Sequence, residues 1–338
     1  MQNYKYPTSK ELRVVGPELE VELTRTRPTF KYFPFRDVAE WRIEWEVKDN
    51  YRGFQQLRGL NGEPSYVKMV GHKRYSAEPG AFGEYMTVDE KQMTIRAASA
   101  NADGPVDIGD LVRERQDYLA LREIDLVEFI QWSLLLNGQF VIAGPTGAIF
   151  TDTFPIQTAT LSDWSDLDNA TPIRDLRNLK LGLLTSTSAN FGTTAEALLN
   201  SVTLSYVLNN RNPADLGGVK LDYGRSVLGL EDVNRIFVGQ DIPTLIPYNG
   251  GYTRESDGVR QLWIPNDKVS IIGARPNGEP VGEYRRVRNV NNPGNAPGSY
   301  DVVIDHLERR VPRTIEVHRG HNGGPVIYYP GSIVVASV

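Results

Sequence analysis

The chain has 338 residues, enough for about two domains, and carries no cysteine. Disulfides, thiol catalysis and cysteine-ligated metal sites are therefore excluded. Its net charge of −5 is too weak for wholesale coating of nucleic acid, and its 40% apolar content supports a real core. No run of about 18 apolar residues is present, so no membrane-spanning helix is expected. Met1–Lys10 lack the apolar region of a signal peptide, so a soluble protein made in a cytoplasm is expected.

In chain order, residues 1–36 read as an extended arm. Pro7, Pro17, Pro28 and Pro34 punctuate it, and Glu18–Leu23 alternates like a strand with one wet side. Trp41, Ile43, Trp45 and Val47 alternate on one face and predict a strand. Residues 51–83 are rich in Gly and Pro and read, with Tyr85–Val88, as a long two-stranded excursion. An isolated ribbon of that kind is marginal in water and has to dock on another surface.

Residues 106–137 are the opposite: there is no Pro and a single Gly. Val112, Leu119, Leu126, Ile130 and Leu134 recur on one helical face. Asp107 is placed to cap this helix, Asp110 puts negative charge at its start, and Gly138 is placed to end it. A hairpin follows over 139–161. An Asp-rich turn, Ser162–Asp168, leads into a helix opened by Pro172, with Ile173, Leu176, Leu179, Leu183 and Leu184 on its apolar face. Ala195–Asn209 reads as a helix or a helix–strand join, and Leu230–Phe237 as a further helix. Short apolar strands are expected at Ile242–Ile246, Gln261–Ile264 and Val269–Ile272. A loop at Arg288–Ser299 follows, then strands at Thr314–Val317, Pro325–Tyr329 and Ile333–Val338.

Motifs for chemistry are sparse. No phosphate-binding glycine loop, dinucleotide fingerprint or nucleophile elbow occurs. His318 and His321 flank Gly320 before Asn322-Gly323-Gly324 and read as a hairpin tip rather than metal ligands. Asp163, Asp166 and Asp168 lack the Gly and terminal Glu of a calcium loop and read as turn formers. No catalytic residue, cofactor or metal is expected.

The order of segments resembles a family. An arm, a Gly-rich hairpin, a long helix ending in Leu135-Leu136-Asn137-Gly138-Gln139-Phe140-Val141-Ile142, the segments Trp164-Ser165-Asp166 and Pro172–Leu176, and Trp263–Val269 are similar to the lambda-like major capsid proteins of tailed double-stranded DNA phages. The resemblance spans nearly the whole chain and rests on order rather than on a chemical motif. It implies an α+β chain of the Hong Kong 97-type capsid fold. Its expected parts are an N-terminal arm (1–40), an extended hairpin or E-loop with flanking strands (41–95), a peripheral domain (96–185) with a spine helix at 106–137, an axial domain (186–310) and C-terminal strands (311–338) that return to the peripheral domain. The function implied is a shell subunit that self-assembles into hexamers and pentamers around phage DNA. Implied partners are a scaffolding protein, a portal, a decoration or cement protein, and packaged DNA met by non-specific proximity. A bacterial nanocompartment shell of the same fold, a tail or connector subunit, and a β-rich enzyme are the rival readings.

Charge is unevenly placed. Residues 51–80 hold Arg52, Arg58, Lys68, Lys73 and Arg74 and balance at +3, while residues 103–128 balance at −5 and 150–176 at −4. The expectation is that the basic hairpin of one copy meets Asp110, Glu114 and Asp117 on the long helix, and Asp163, Asp166 and Asp168 in the acidic turn, of another. Tyr32, Phe33 and Phe35, and Phe54, Leu57 and Leu60, are expected to need cover from neighbouring copies.

Overall fold

The computed structural model describes residues 4–47, 73–98, 106–144, 147–187, 189–212, 215, 229–254, 257–275, 278–306 and 313–338. These described residues divide into two compact units: the first is drawn from within 1–43, 76–132 and 282–326, the second from within 44–75, 133–281 and 327–338.

In the first part of the chain, β1 (Tyr4–Lys5) leads to helix α1 (Ser9–Arg25), a short helix α2 (Thr29–Tyr32) and strand β2 (Phe35–Asp37). The extended reading of residues 1–36 is thus corrected. Thr8 and Glu11 form a reciprocal cap that starts α1 despite the prolines downstream. Pro17 lies within the helix and forgoes one backbone bond, a loss of about 3 kcal/mol in an isolated helix. The buried face of Leu12 and Gly16 offsets it: a Cβ on Gly16 would lie 3.1 Å from Asp301 Oδ2, so helix and sheet meet closely there. Tyr32 and Phe33 are also buried within the chain, against the expectation that neighbours must cover them. Phe54, Leu57 and Leu60 lie outside the described residues.

Next come β3 (Ile43–Val47), β4 (Lys73–Ala77), β5 (Gly80–Val88), helix α3 (Glu90–Ala98), β6 (Val106–Asp107) and the long helix α4 (Gly109–Asn137). Strand β3 alternates as the sequence predicts, with Ile43, Trp45 and Val47 buried, whereas Trp41 is 64% exposed. It pairs with β4, so the described ends of the long excursion form a two-stranded ribbon. Trp45 stacks on Tyr75 at 5.5 Å and meets Phe154 at 6.0 Å. Helix α4 has 29 residues and is about 43 Å long. Asp107 accepts the Gly109 N–H at 2.8 Å at its start. Gly138 ends it at φ +63°, where a Cβ would lie 2.7 Å from the Phe154 carbonyl oxygen.

The chain continues through β7 (Gln139–Gly144), β8 (Gly147–Thr153), β9 (Gln157–Thr160), α5 (Pro172–Leu183), β10 (Glu196–Leu199), α6 (Ser201–Asn209) and α7 (Leu230–Gly239). Then follow β11 (Thr244–Pro247), β12 (Gly251–Thr253), β13 (Arg260–Leu262), β14 (Lys268–Ile272), β15 (Gly282–Arg286), β16 (Tyr300–Asp305), β17 (Ile315–Ile327) and β18 (Ile333–Ser337).

In the second unit a five-stranded mixed sheet runs β11-β10-β14-β18-β9. Its central strands, Val269–Ile272 beside Ile333–Ala336, are buried on both faces and apolar at every position but Ser270. Helices α5, α6 and α7 pack Leu176, Leu204, Val207, Val233 and Phe237 into one core with Trp164 and Val269.

In the first unit the sheet runs β16-β17-β15-β2, with β5 also on β17. Ile315, Val317, Val88 and Met93 share a core with Leu12, Val112 and Leu119. Residues 315–327 form one continuous strand, which corrects the hairpin tip expected at His318–Gly324. The glycines there permit close strand approach instead of a turn. Gly320 pairs with Gly83, and a Cβ on Gly320 would lie 2.2 Å from the Phe82 carbonyl oxygen.

Candidate functional site: a buried charged cluster and an acidic groove

Two groups of charged side chains stand out in the first unit. One is buried and follows from strand alternation. Along β17 the inward positions are Ile315, Val317, Arg319 and His321, so the apolar series is completed by a cation and an imidazole. Glu123 on α4 and Asp301 on β16 receive them. Arg319 Nε donates to Glu123 Oε2 at 2.5 Å, and Arg319 Nη1 donates to both oxygens of Asp301 at 3.0 and 2.9 Å. Ser299 donates to Glu123 Oε1 at 2.5 Å. His321 Nδ1 lies 2.8 Å from the same oxygen, off the line of a regular hydrogen bond, while Nε2 sits 2.9 Å from the Tyr284 hydroxyl.

Burial opposes charge on Glu123, yet Arg319, His321 and Ser299 outweigh it and hold its carboxyl well below the usual range. Burial raises the Asp301 carboxyl, against the pull of Arg319 and with help from nearby Glu123. Burial also pushes the Tyr284 hydroxyl up, and Glu123 adds to that, which keeps the phenol protonated. A second buried cation, Arg286 on β15, binds Glu20 of α1 and reaches Asp37 at 2.7 Å and Ser299 at 3.2 Å. Burial disfavours its charge, and Glu20 and Asp37 outweigh that and raise it. Arg27 adds a third tie, to Glu128 at 2.7 Å and Asp125 at 2.6 Å. Together these pairs fasten residues 9–37 to the long helix and the sheet. None of these pairs lines the groove at the start of α4.

The other group lines a groove of about 760 Å³ at the start of α4. Asp110, Glu114 and Asp117 all border it, together with Lys5, Arg96 and Arg113. Asp110 pairs with Arg96, and Glu114 lies 3.3 Å from Arg115. Burial raises the Asp117 carboxyl, opposed by Arg113 and assisted by Glu22.

The expected contact residues are thus partly gathered. Asp110, Glu114 and Asp117 share one groove. Asp163, Asp166 and Asp168 are exposed in the turn before α5. Asp163 there accepts the Ser165 N–H at 2.9 Å and Asp166 accepts Asn169 at 2.8 Å, the work of turn formers. Lys73 and Arg74 open β4, while Arg52, Arg58 and Lys68 lie outside the described residues. Among the described residues, no group of three or more His, Asp or Glu side chains could hold a metal ion, and no helix is long and apolar enough to cross a membrane.

Sequence reasoning missed the buried cluster. Its signal was present: Arg319 and His321 continue the period-two series of Ile315 and Val317. It also missed α1, whose signal was Thr8 and Glu11 spaced as a capping box.

No protein-family model and no curated protein sequence matches the chain. Solved structures do. A protein assigned as the capsid protein of an Escherichia coli CFT073 prophage superposes with a TM-score of 0.55 at 13% identity, over 96% of this chain and 98% of that one. A phage-related protein from Bordetella bronchiseptica RB50 gives 0.54 at 14% identity, over 95% and 96%. A virus-like particle protein from Pyrococcus furiosus gives 0.48 at 13% identity, over 97% and 98%. The first two superpositions, each end to end, carry the conclusion: the chain has the Hong Kong 97-type phage capsid fold that its order of segments resembles.

Proposed function

We propose that this protein is the major capsid protein of a tailed double-stranded DNA phage, a structural subunit that self-assembles through hexamers and pentamers into an icosahedral shell. The observation that carries this reading is the end-to-end superposition on the prophage capsid protein, which leaves little of either chain outside the shared fold. The buried ion pairs are in keeping with it: they tie α1, the long helix and the sheet into one brace. In this reading the shell encloses the genome in the virion and is built in the host cytoplasm. Scaffolding protein, portal and a decoration protein are its assembly partners, and DNA touches it without base readout.

The basic residues Arg52, Arg58, Lys68, Lys73 and Arg74 of one copy are proposed to face acidic residues of the next, namely the groove at Asp110, Glu114 and Asp117 and the turn at Asp163, Asp166 and Asp168. Complementary charge of this kind sets register and partner choice more than raw affinity. Electron microscopy of the purified protein, expressed alone and with its scaffold, tests the reading. Closed icosahedral particles are expected. Tubes, rings or monomers under both conditions would overturn it, and particles loaded with a protein cargo and lacking DNA in the phage-producing host would favour a nanocompartment.

A further inference from the structure

The loop between β15 and β16 carries an unusual combination. Val290 is 81% exposed, more than any other large apolar side chain among the described residues. One exposed valine is ordinary by itself. This one sits on a loop that is fastened from within. The Asn291 N–H donates to Asn289 Oδ1 at 2.9 Å, and Asn292 Nδ2 donates to the carbonyls of Ala296 and Gly298 at 3.1 and 3.2 Å. Asn289 and Asn292 are themselves buried. Arg288 bridges to Pro297, and Asn322 of β17 holds the Arg288 carbonyl at 3.1 Å. Two prolines and a glycine at φ +103°, Gly298, fix the remaining backbone. Little ordering entropy is left to lose on contact.

The tip of the loop is also neutral. Asn289–Ser299 contains no charged residue, although 23% of the chain is charged, and the flanking Arg288 directs its Nε to the Ala39 carbonyl. Neutrality suits one kind of partner. When identical copies meet around a rotation axis, each residue near the axis faces its own equivalent, and any charge there faces its own sign. A contact with an unrelated protein or with DNA carries no such restriction.

We propose that this loop is a homotypic contact, in which Val290 of one copy packs against the same loop of symmetry-related copies around a rotation axis of the assembly. The proposal rests on the shell reading above and adds a residue and a partner to it.

The absence of cysteine makes a direct test available. Particles are assembled from wild-type subunits mixed with an equal amount of Val290→Cys, then oxidised, or treated with a short thiol-reactive crosslinker. Linked dimers are expected at about tenfold or more the level seen in unassembled subunits at equal concentration, because the contact raises the local thiol concentration. Mixed particles without that excess would overturn the proposal. In a second arm, Val290→Asp should lower particle yield about tenfold or more at low salt, with recovery as salt rises, while the melting temperature of the free subunit stays unchanged. Wild-type yield from that variant at every salt concentration also counts against it. Wild-type protein that forms no closed particles would instead remove the shell reading itself.

Discussion

Arg319 and Glu123 form a buried ion pair, Nε to Oε2 at 2.5 Å, at a strand position that alternation assigns to the core. The pair joins β17 to the long helix, and Asp301 completes the guanidinium's partners from β16. Breaking such a pair from one side leaves the other charge buried and uncompensated. Arg319→Met should therefore cost about 3–5 kcal/mol, measured by denaturant unfolding of the unassembled subunit. A loss below about 1 kcal/mol would mean that water reaches the cluster.

The same cluster sets an acid response. Glu123 has a depressed pKa in the fold, so its contribution is present above its unfolded value of about 4.3 and is lost as pH falls through the folded one. Asp301 has the opposite sign: its raised pKa gives stability that is full below about 3.9 and fades as pH rises through the folded value. Glu123→Gln should flatten the loss of stability below about pH 4, and Asp301→Asn should steepen it. Melting curves between about pH 2 and 6 read both slopes.

Gly138 stops α4 in the left-handed region, with Ile156 and the Phe154 carbonyl occupying the space a β-carbon would need. Gly138→Ala should cost about 2 kcal/mol or more from backbone strain and the forced contact together. The check is thermal unfolding of the free subunit. An unchanged melting temperature would show that the helix end relaxes freely.

Helix α1 depends on its cap because Pro17 weakens its middle. Thr8→Ala should destabilise it by about 1 kcal/mol. Hydrogen exchange should accelerate across Ser9–Gly16 and leave α4 unaffected, which separates a local cap effect from global loss.

Charge reversal at Arg52, Arg58 and Arg74 to Glu tests the proposed basic-to-acidic contact between copies. Particle yield should fall, and the deficit should depend on ionic strength because exposed charges are screened over about 10 Å at 0.1 M salt. Unchanged yield across a salt series would remove the contact from the proposal.

Much was legible along the chain because local physics decided it. The long helix, its Asp107 and Gly138 ends, the Pro172 start of α5 and the alternation of Ile43, Trp45 and Val47 all follow from period and capping. Glycine-rich segments were less informative. The run His318–Gly324 looked like a turn because glycine permits turns, and it is strand because glycine also permits close approach to Gly83 and Phe82. Pro17 misled in the same way: a lone proline argues against a helix only until a buried face repays the lost bond.

By itself the sequence determined the absence of disulfides, the long helix, the order of segments and, through that order, the kind of fold. Only the tertiary structure decided where the charges go. Arg319, His321, Glu123 and Asp301 are far apart along the chain. Their meeting depends on which strand face turns inward and which helix lies beneath it. The pairing of distant charges is a property of packing, because a buried charge is tolerable only where another element brings its partner.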